Sequence, residues 1–307
     1  MSEAGAAGAV STRVRIGCPV WAHAPWRGTF FTREARREEF LGQYASVFAT
    51  AEGNATFYGL PSEKTVARWA EEAPDWWRFA FKFPRVISHD RALLNCAGDT
   101  AAFFARLEPV AERCGPFFLQ LHQNFGPERL ELLRDYLAGL PSGFSYAVEV
   151  RNRAFFTNGK DETALDAMLC ELGVDRVNFD TRPLFAAAVD REDDAAQEAL
   201  SKKPRVPVRF TATGRRPFVR WVGDPQVVKN DAWLAEWVDV VARWVEEGRE
   251  PYVFIHHADD LHAPPLARRF QAMLHARCPA AVPAPAVWPG EAEPGEDELP
   301  GAQLGLF

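Results

Sequence analysis

The chain has 307 residues, 47% of them hydrophobic and 25% charged, a globular composition with enough apolar material for one large barrel or two ordinary domains. Its formal net charge is −7, but residues 279–307 hold five acids and no Lys or Arg, so the body keeps only −2 of it. A nearly neutral body excludes a broad grip on duplex DNA, which needs many Lys/Arg–phosphate contacts, and any nucleic-acid contact is expected to be local.

In chain order, Met1 to Arg13 is Ala/Gly-rich with an acid at Glu3 and reads as a flexible leader, unlike a signal or transit peptide. Short runs rich in Val, Ile, Phe and Trp then alternate with stretches of helical period. The predicted strands are 14–20, 50–57, 78–83, 117–122, 146–151, 176–181, 218–222 and 252–257. The predicted helices are 34–48, 62–72, 100–114, 128–138, 162–172, 231–247 and 265–276. Ser62, Pro127 and Asp231 mark helix starts, and Gly115, Gly139, Gly173 and Gly248 mark helix ends. Eight βα repeats over about 250 residues predict an α/β fold, a TIM-like (β/α)8 barrel spanning residues 14–278, with an open doubly wound sheet as the alternative. The long connection from Arg182 to Pro217 is expected to place a helix and an extended segment over the barrel mouth. Apolar runs such as Tyr252-Val253-Phe254-Ile255 fall far below the ~20 residues of a membrane helix. The cysteines Cys18, Cys96, Cys114, Cys170 and Cys278 are scattered, odd in number and without a CxxC pair, so no disulfide framework is expected and a reducing cytoplasm fits best. Beyond Cys278, six prolines and five acids predict an extended, disordered tail over 279–307.

In such barrels the reacting groups stand at the C-terminal strand ends. Those ends carry Glu52 and Asn54, Lys82, Gln120 and His122, Glu149 and Arg151, Asp180, Arg220, and His256-His257. Alternation puts Glu149 with Arg151, and Glu52 with Asn54, on one face, and lets only one of the adjacent histidines line the mouth. Glu52, Lys82, Glu149 and Asp180 are therefore the predicted catalytic group. The predicted substrate contacts are Asn54, Tyr58, Arg85, Gln120, His122, Arg151, Arg220, Trp221 and His257. Trp21, Trp26, Arg27 and Phe57 add aromatic and cationic surface suited to an anion carrying a flat group. The plainer alternative is a structural plug of salt bridges such as Lys82–Glu149 and Arg151–Asp180. Glu52, Glu149, Asp180 and one His leave room for a divalent metal, although no His-x-His or His-x-x-x-His spacing is present.

Five stretches, in order, carry a resemblance: Glu52-Gly53-Asn54-Ala55-Thr56-Phe57-Tyr58-Gly59-Leu60-Pro61; Phe79-Ala80-Phe81-Lys82-Phe83-Pro84-Arg85 with His89; Gly115 to Gly126; Ala147-Val148-Glu149-Val150-Arg151; and Tyr252-Val253-Phe254 ahead of His262-Ala263-Pro264. Over about Arg15 to Arg277 the chain resembles the YecE-like family, domain of unknown function 72. The resemblance implies a TIM-type barrel of the endonuclease IV and xylose isomerase kind and supplies no reaction. The sequence departs from the commoner pattern at Gly53, Ala55, His122-Gln123 and His256-His257.

The chain ends Gln303-Leu304-Gly305-Leu306-Phe307, which resembles the bacterial sliding-clamp-binding peptide, with Gln303, Leu304, Leu306 and Phe307 as the anchors. Gly305, where Ser or Asp is preferred, adds ~0.5–1 kcal/mol of ordering cost. Together these readings predict an enzyme, a phosphodiesterase- or nuclease-like hydrolase, acting on a phosphate-containing or nucleic-acid-related substrate and tethered to the clamp. Glu149 or Glu52 would be its base. The alternatives are a non-catalytic anion-binding adapter of the clamp and a sugar-active barrel enzyme using Glu52 and Glu149.

Overall fold

A computed structural model describes residues 12–188 and 205–292. Eight parallel strands follow one another as β1 (Arg15–Cys18), β2 (Thr50–Gly53), β3 (Arg78–Phe81), β4 (Phe117–Gln120), β5 (Tyr146–Glu149), β6 (Asp175–Asp180), β7 (Phe218–Val222) and β8 (Tyr252–His256). Their order is β3-β2-β1-β8-β7-β6-β5-β4. The two ends meet through the Lys82–Phe118 and Phe79–Cys114 bridges, and Phe83 N donates to Phe118 O at 3.0 Å, so the sheet closes into the expected barrel.

Helices α1 (Phe40–Ala45), α2 (Glu63–Glu72), α3 (Ala97–Leu107), α4 (Leu130–Ala138), α5 (Lys160–Leu172), α6 (Arg182–Ala188), α7 (Asp231–Glu246) and α8 (Ala263–Arg277) occupy the connections. Two differ from the predicted spans for local reasons. Pro109 lacks an amide donor, so α3 gives way to a 3-10 turn over Glu108–Arg113. Of the segment predicted as one helix over 34–48, only the last part winds as α1, preceded by a 3-10 turn at Arg37–Glu39 whose Arg36 amide donates to Glu39 at 2.7 Å. None of the helices formed by the described residues is long and apolar enough to cross a membrane.

Alternation along each strand divides two layers. Ala80, Phe118, Ala147, Val177, Phe218, Tyr252 and Phe254 point inward and fill the barrel, while Ile16, Phe79, Val148, Trp221 and Val253 point outward against the helices. Within the connection after α6, residues 208–213 lie on the outside of β6, while Arg205, Val206 and Pro207 border a pocket with Arg153, Thr181 and Arg182 past the C-terminal ends of β5 and β6. Asn178 exchanges hydrogen bonds with Thr211, Thr213 Oγ1 bridges Val174 O and Arg176 N, and Phe210 meets Trp237 edge-on. The side chain of Asn178 and the backbone amide of Arg176 need polar partners on that face, and this segment supplies them, while the Arg176 guanidinium is held by Glu162, Asp166 and Phe155 O. Residues 279–292 also belong to the packed body. Ala281 accepts from Arg13 and Val14, Trp288 packs on Phe30, and Gly290 N donates to Phe30 O. The apolar side chains Ala281, Val282 and Trp288 have a surface to join, so the tail expected from residue 279 does not begin there.

At the opposite, N-terminal end of the barrel, Asp175 is buried. Burial pushes its carboxyl up to about 7, and the Arg216 and Gly214 amides with Arg249 and Arg216 only partly offset this. Because the native pKa lies above that of the unfolded chain, the native state gains from the protonated form at low pH and loses that gain as pH rises toward 7. Asp175→Asn should therefore stabilise the protein by on the order of 1–3 kcal/mol at pH 8 in urea unfolding, with little effect at pH 4. An equal gain at both pH values would refute the assignment.

Candidate functional site

Above the apolar filling, the inward positions turn polar together at the C-terminal ends. Register brings this about: Gln120 pairs with Glu149, Glu52 with Ala80 next to Lys82, and Arg220 stands on β7 across the barrel from both acids. Arg220 is the hub. Its Nε and Nη2 donate to the two Glu52 oxygens at 2.7 and 2.8 Å, and its Nη1 donates to Glu149 at 2.6 Å. The other Glu149 oxygen accepts from Arg151 Nε at 2.7 Å, and Arg151 Nη2 reaches Gln120 Oε1 at 2.9 Å. The same amide oxygen accepts from Lys82 Nζ at 2.8 Å. Asn54 Nδ2 donates to Glu52 at 2.7 Å and to Pro19 O at 3.0 Å, and His256 Nε2 lies 3.1 Å from Glu52.

Protonation follows from this wiring. Burial acts to raise both acids, but Arg220 and His256 hold Glu52 well below the usual carboxylate range, and Arg151, Arg220 and Lys82 hold Glu149 at about 2. Two such carboxylates are poor proton acceptors near neutrality. Lys82 is the reverse case. It is only 8% exposed, its hydrogen bond goes to a neutral amide, and it sits 4.1 Å from the Phe57 ring centroid. Burial, with Arg220 and Arg151 adding to it, lowers its ammonium to about 7 against the opposing pull of Glu149 and Glu52.

Farther out, a pocket of about 350 Å³ opens beside this cluster. Arg85, His89, His122, Asn124 and Arg129 line it, with Asp90 as the acid, and Arg85 Nε is 3.1 Å from Asp90. The His89 ring packs edge-on against Phe57 and His122, with centroids 5.0 and 5.5 Å away, so the pocket and Lys82 share a wall. Burial and then the neighbouring His122, Lys82, Arg151 and Arg85 push His89 down to about 4.

Of the predicted site residues, Glu52, Asn54, Lys82, Gln120, Glu149, Arg151 and Arg220 form one hydrogen-bonded cluster, with Arg85, His122 and the 84% exposed Tyr58 around its rim. Three fall elsewhere. Asp180 points outward, where it accepts from Trp237 Nε1 at 2.8 Å and is paired with Arg182. Trp221 is buried in the outer layer. His257 also faces away from the barrel axis, against Asp259 at 2.6 Å and Pro225 O at 3.2 Å. The inward histidine is His256, in step with Tyr252 and Phe254 of the barrel filling, and since β8 is apolar on both faces its sequence holds no signal that separates His256 from His257. Trp26 likewise packs in the core and Arg27 donates to Ala35 O, whereas Trp21, though buried, borders a pocket with Glu52 and Asn54. The oxygen-rich metal site is not supported. All four oxygens of Glu52 and Glu149 have Arg, His or Asn partners, and no group of three candidate metal ligands occurs among the described residues.

Fold and site together define a closed (β/α)8 barrel whose C-terminal mouth combines a buried Glu–Arg–Glu bridge, a largely desolvated lysine and a cationic rim. The chain belongs to the family described as Protein of unknown function DUF72, whose profile matches residues 15–289. It is 38% identical over 273 residues to the UPF0759 protein YecE of Escherichia coli K12, covering 88% of this chain and 97% of that protein, with the same figures for YecE of E. coli O157:H7. Among solved structures, a DUF72 family protein of Thermotoga maritima MSB8 superposes with a TM-score of 0.64 at 19% identity, covering 85% of this chain and 99% of that one. One from Enterococcus faecalis V583 gives 0.63 at 16%, covering 85% and 95%.

Removing the hub strands two buried carboxylates. Arg220→Met should cost ~3–5 kcal/mol in urea unfolding, and adding Glu52→Gln and Glu149→Gln should recover part of that loss. A cost of less than ~1 kcal/mol for the single change would show that Arg220 does not hold the site together.

Proposed function

We propose that this protein is an enzyme acting at the C-terminal barrel mouth on a phosphate-containing, nucleic-acid-related substrate, with Lys82 rather than Glu52 or Glu149 exchanging protons with it. The observation that carries the reading is Lys82 itself, an amine lowered to about 7 beside a rim of Arg85, Arg129, His89 and His122. An amine that loses its proton near neutrality serves as acid or base, while guanidinium forks suit a phosphate. Exposed Tyr58, edge-on to Phe57, offers a ring on which a base or sugar can stack. Phosphodiesterase-like hydrolysis is one reaction this set could serve. Lys82 would take the proton of the attacking water as Arg151 and the rim hold the phosphate.

A second reading, a non-catalytic anion-binding adapter, draws on the full pairing of Glu52 and Glu149, which also suits a stabilising plug. A retaining sugar-active mechanism fits less well, since its nucleophile would be a carboxylate already locked to Arg220 or Arg151. The clamp-binding residues Gln303, Leu304, Leu306 and Phe307 lie outside the described residues. We propose them as the docking peptide for a bacterial sliding clamp on their sequence alone. The five cysteines are free, which suits residence in a reducing cytoplasm.

A panel of nucleotides and phosphorylated oligonucleotides scored by melting temperature and phosphate-ester cleavage separates these readings. For the enzyme, the rate should rise with pH through about 7, because Lys82 accepts a proton only once it has lost its own. Lys82→Met should then lower turnover at least ~100-fold while ligands still raise the melting temperature. Ligand shifts without turnover would favour the adapter, and turnover unaffected by Lys82→Met would remove Lys82 from the chemistry. Deleting residues 303–307 should abolish capture by immobilised clamp and leave turnover of a small substrate unchanged. Capture that survives the deletion would end the docking proposal.

A further inference from the structure

We infer that Lys82 is a carbonyl-capturing amine, whose Nζ condenses with the aldehyde or ketone of a phosphorylated, sugar-like compound while the phosphate occupies the Arg85–His89–His122–Arg129 pocket. The inference rests on the phosphate-binding reading above and adds the reacting group of the substrate.

Three features of the mouth point to it. First, Lys82 has no ion-pair partner among the described residues, because Arg220 and Arg151 take the carboxylates that would otherwise pair with it. A lysine kept for charge would be expected to hold one of those acids. Here it is held by the neutral Gln120 amide under the Phe57 ring, with two guanidiniums in the same cluster, and in that setting its lone pair is available near neutrality. Second, the wall from Lys82 through Phe57 and His89 to His122 joins the amine to the pocket directly. His122 lies just past the end of β4, two residues beyond Gln120 and so at most about 7 Å farther along the chain, and a short carbon chain spans the distance from Nζ to a phosphate at the rim. Third, the His122 imidazole lines that opening beside the neutral His89 and can carry the protons that condensation moves.

The step balances without an oxidant or reductant. The Nζ lone pair forms a bond to the carbonyl carbon, the C=O π pair moves to oxygen, and that oxygen takes up a proton while nitrogen gives one up. The pair left on nitrogen by that proton loss then forms C=N as the C–O bond breaks, the oxygen leaves as water with a second proton taken from solvent, and the protonated imine so formed returns one proton when it becomes neutral. Amine and carbonyl have become imine and water. A protonated imine acidifies the adjacent C–H. Where a phosphate ester lies one carbon farther on, loss of that proton to an imidazole forms C=C and expels the phosphate with its bonding pair. Capture by Lys82 thus gives the same mouth a route to breaking a phosphate ester.

The experiment is reductive trapping of the full chain at pH 7.5 with sodium cyanoborohydride, read by intact mass and peptide mapping. The probes are glyceraldehyde 3-phosphate, unphosphorylated glyceraldehyde, and an oligonucleotide carrying one abasic deoxyribose. The expected result is a single adduct on the Lys82 peptide, at least tenfold above any adduct on the exposed Lys64, Lys160 or Lys229. It should be reduced tenfold by millimolar inorganic phosphate and tenfold weaker with unphosphorylated glyceraldehyde. Adduct with the free sugar phosphate alone identifies a small-molecule substrate, and adduct with the oligonucleotide alone identifies an aldehyde within DNA. Either outcome supports the inference. Mapping on the wild-type chain locates the adduct without relying on the folding of Lys82→Arg, which should give none. If inorganic phosphate raises the melting temperature but no probe labels Lys82 above the exposed lysines, carbonyl capture is overturned and the phosphate site stands. If phosphate neither binds nor competes and no adduct forms, both readings fall.

Discussion

The arrangement of the mouth depends on one buried guanidinium. Arg220 reaches from β7 to Glu52 on β2 and Glu149 on β5, so three strands far apart in sequence are tied at the same height. An arginine suits this position because its planar fork satisfies two carboxylates at once and keeps its charge when buried. The bridge spends both acids on fixed partners. What remains for chemistry is the residue they leave unpaired, Lys82, and the imidazoles beyond it.

That division of labour explains why a charged cluster coexists with a reactive amine. Burying like charges together is costly, and the cost is met in two ways. The permanently charged groups are neutralised by one another, and the one cation that can shed its proton at moderate pH does so more readily, down to about 7. Phe118 and Phe179 lie under the guanidiniums of Arg220 and Arg151, and Phe57 covers Lys82, so aromatic faces replace water around each cation. The result is a buried, fully hydrogen-bonded floor beneath a more exposed rim that carries Arg85 and Arg129.

Membership of DUF72 supports the barrel, and the solved relatives, at under 20% identity, support the fold alone. The reaction is a matter of the side chains in the mouth, which the fold does not dictate. The same holds for the end of the chain, whose Leu306-Phe307 motif speaks through sequence only.

Composition and the alternation of short apolar runs with helical periods were sufficient for the eight strands, their order along the chain and the polar character of their C-terminal ends. Those properties are local, since every strand but β1 carries its own polar or charged residue at or just past its end. Which way each residue faces was not local in every strand. Glu149 and Arg151 could be assigned to one face because both are charged, and in β6 Arg176, Asn178 and Asp180 alternate with Val177 and Phe179, but that alternation does not say which face meets the barrel axis, and β8, buried on both sides, shows no alternation of polarity before its histidines. There the face was decided by packing partners, Trp237 and Pro225 among them distant in sequence. Trp237 and Arg182 draw Asp180 outward, Asp259 and Pro225 hold His257, and Phe254 in the barrel filling puts His256 in step with the mouth. The sequence by itself determined which ionisable groups reach the barrel's end. Only closure of the barrel decided which of them share it, because burial and pairing act through space and the periodicity of a strand buried on both faces carries no record of them.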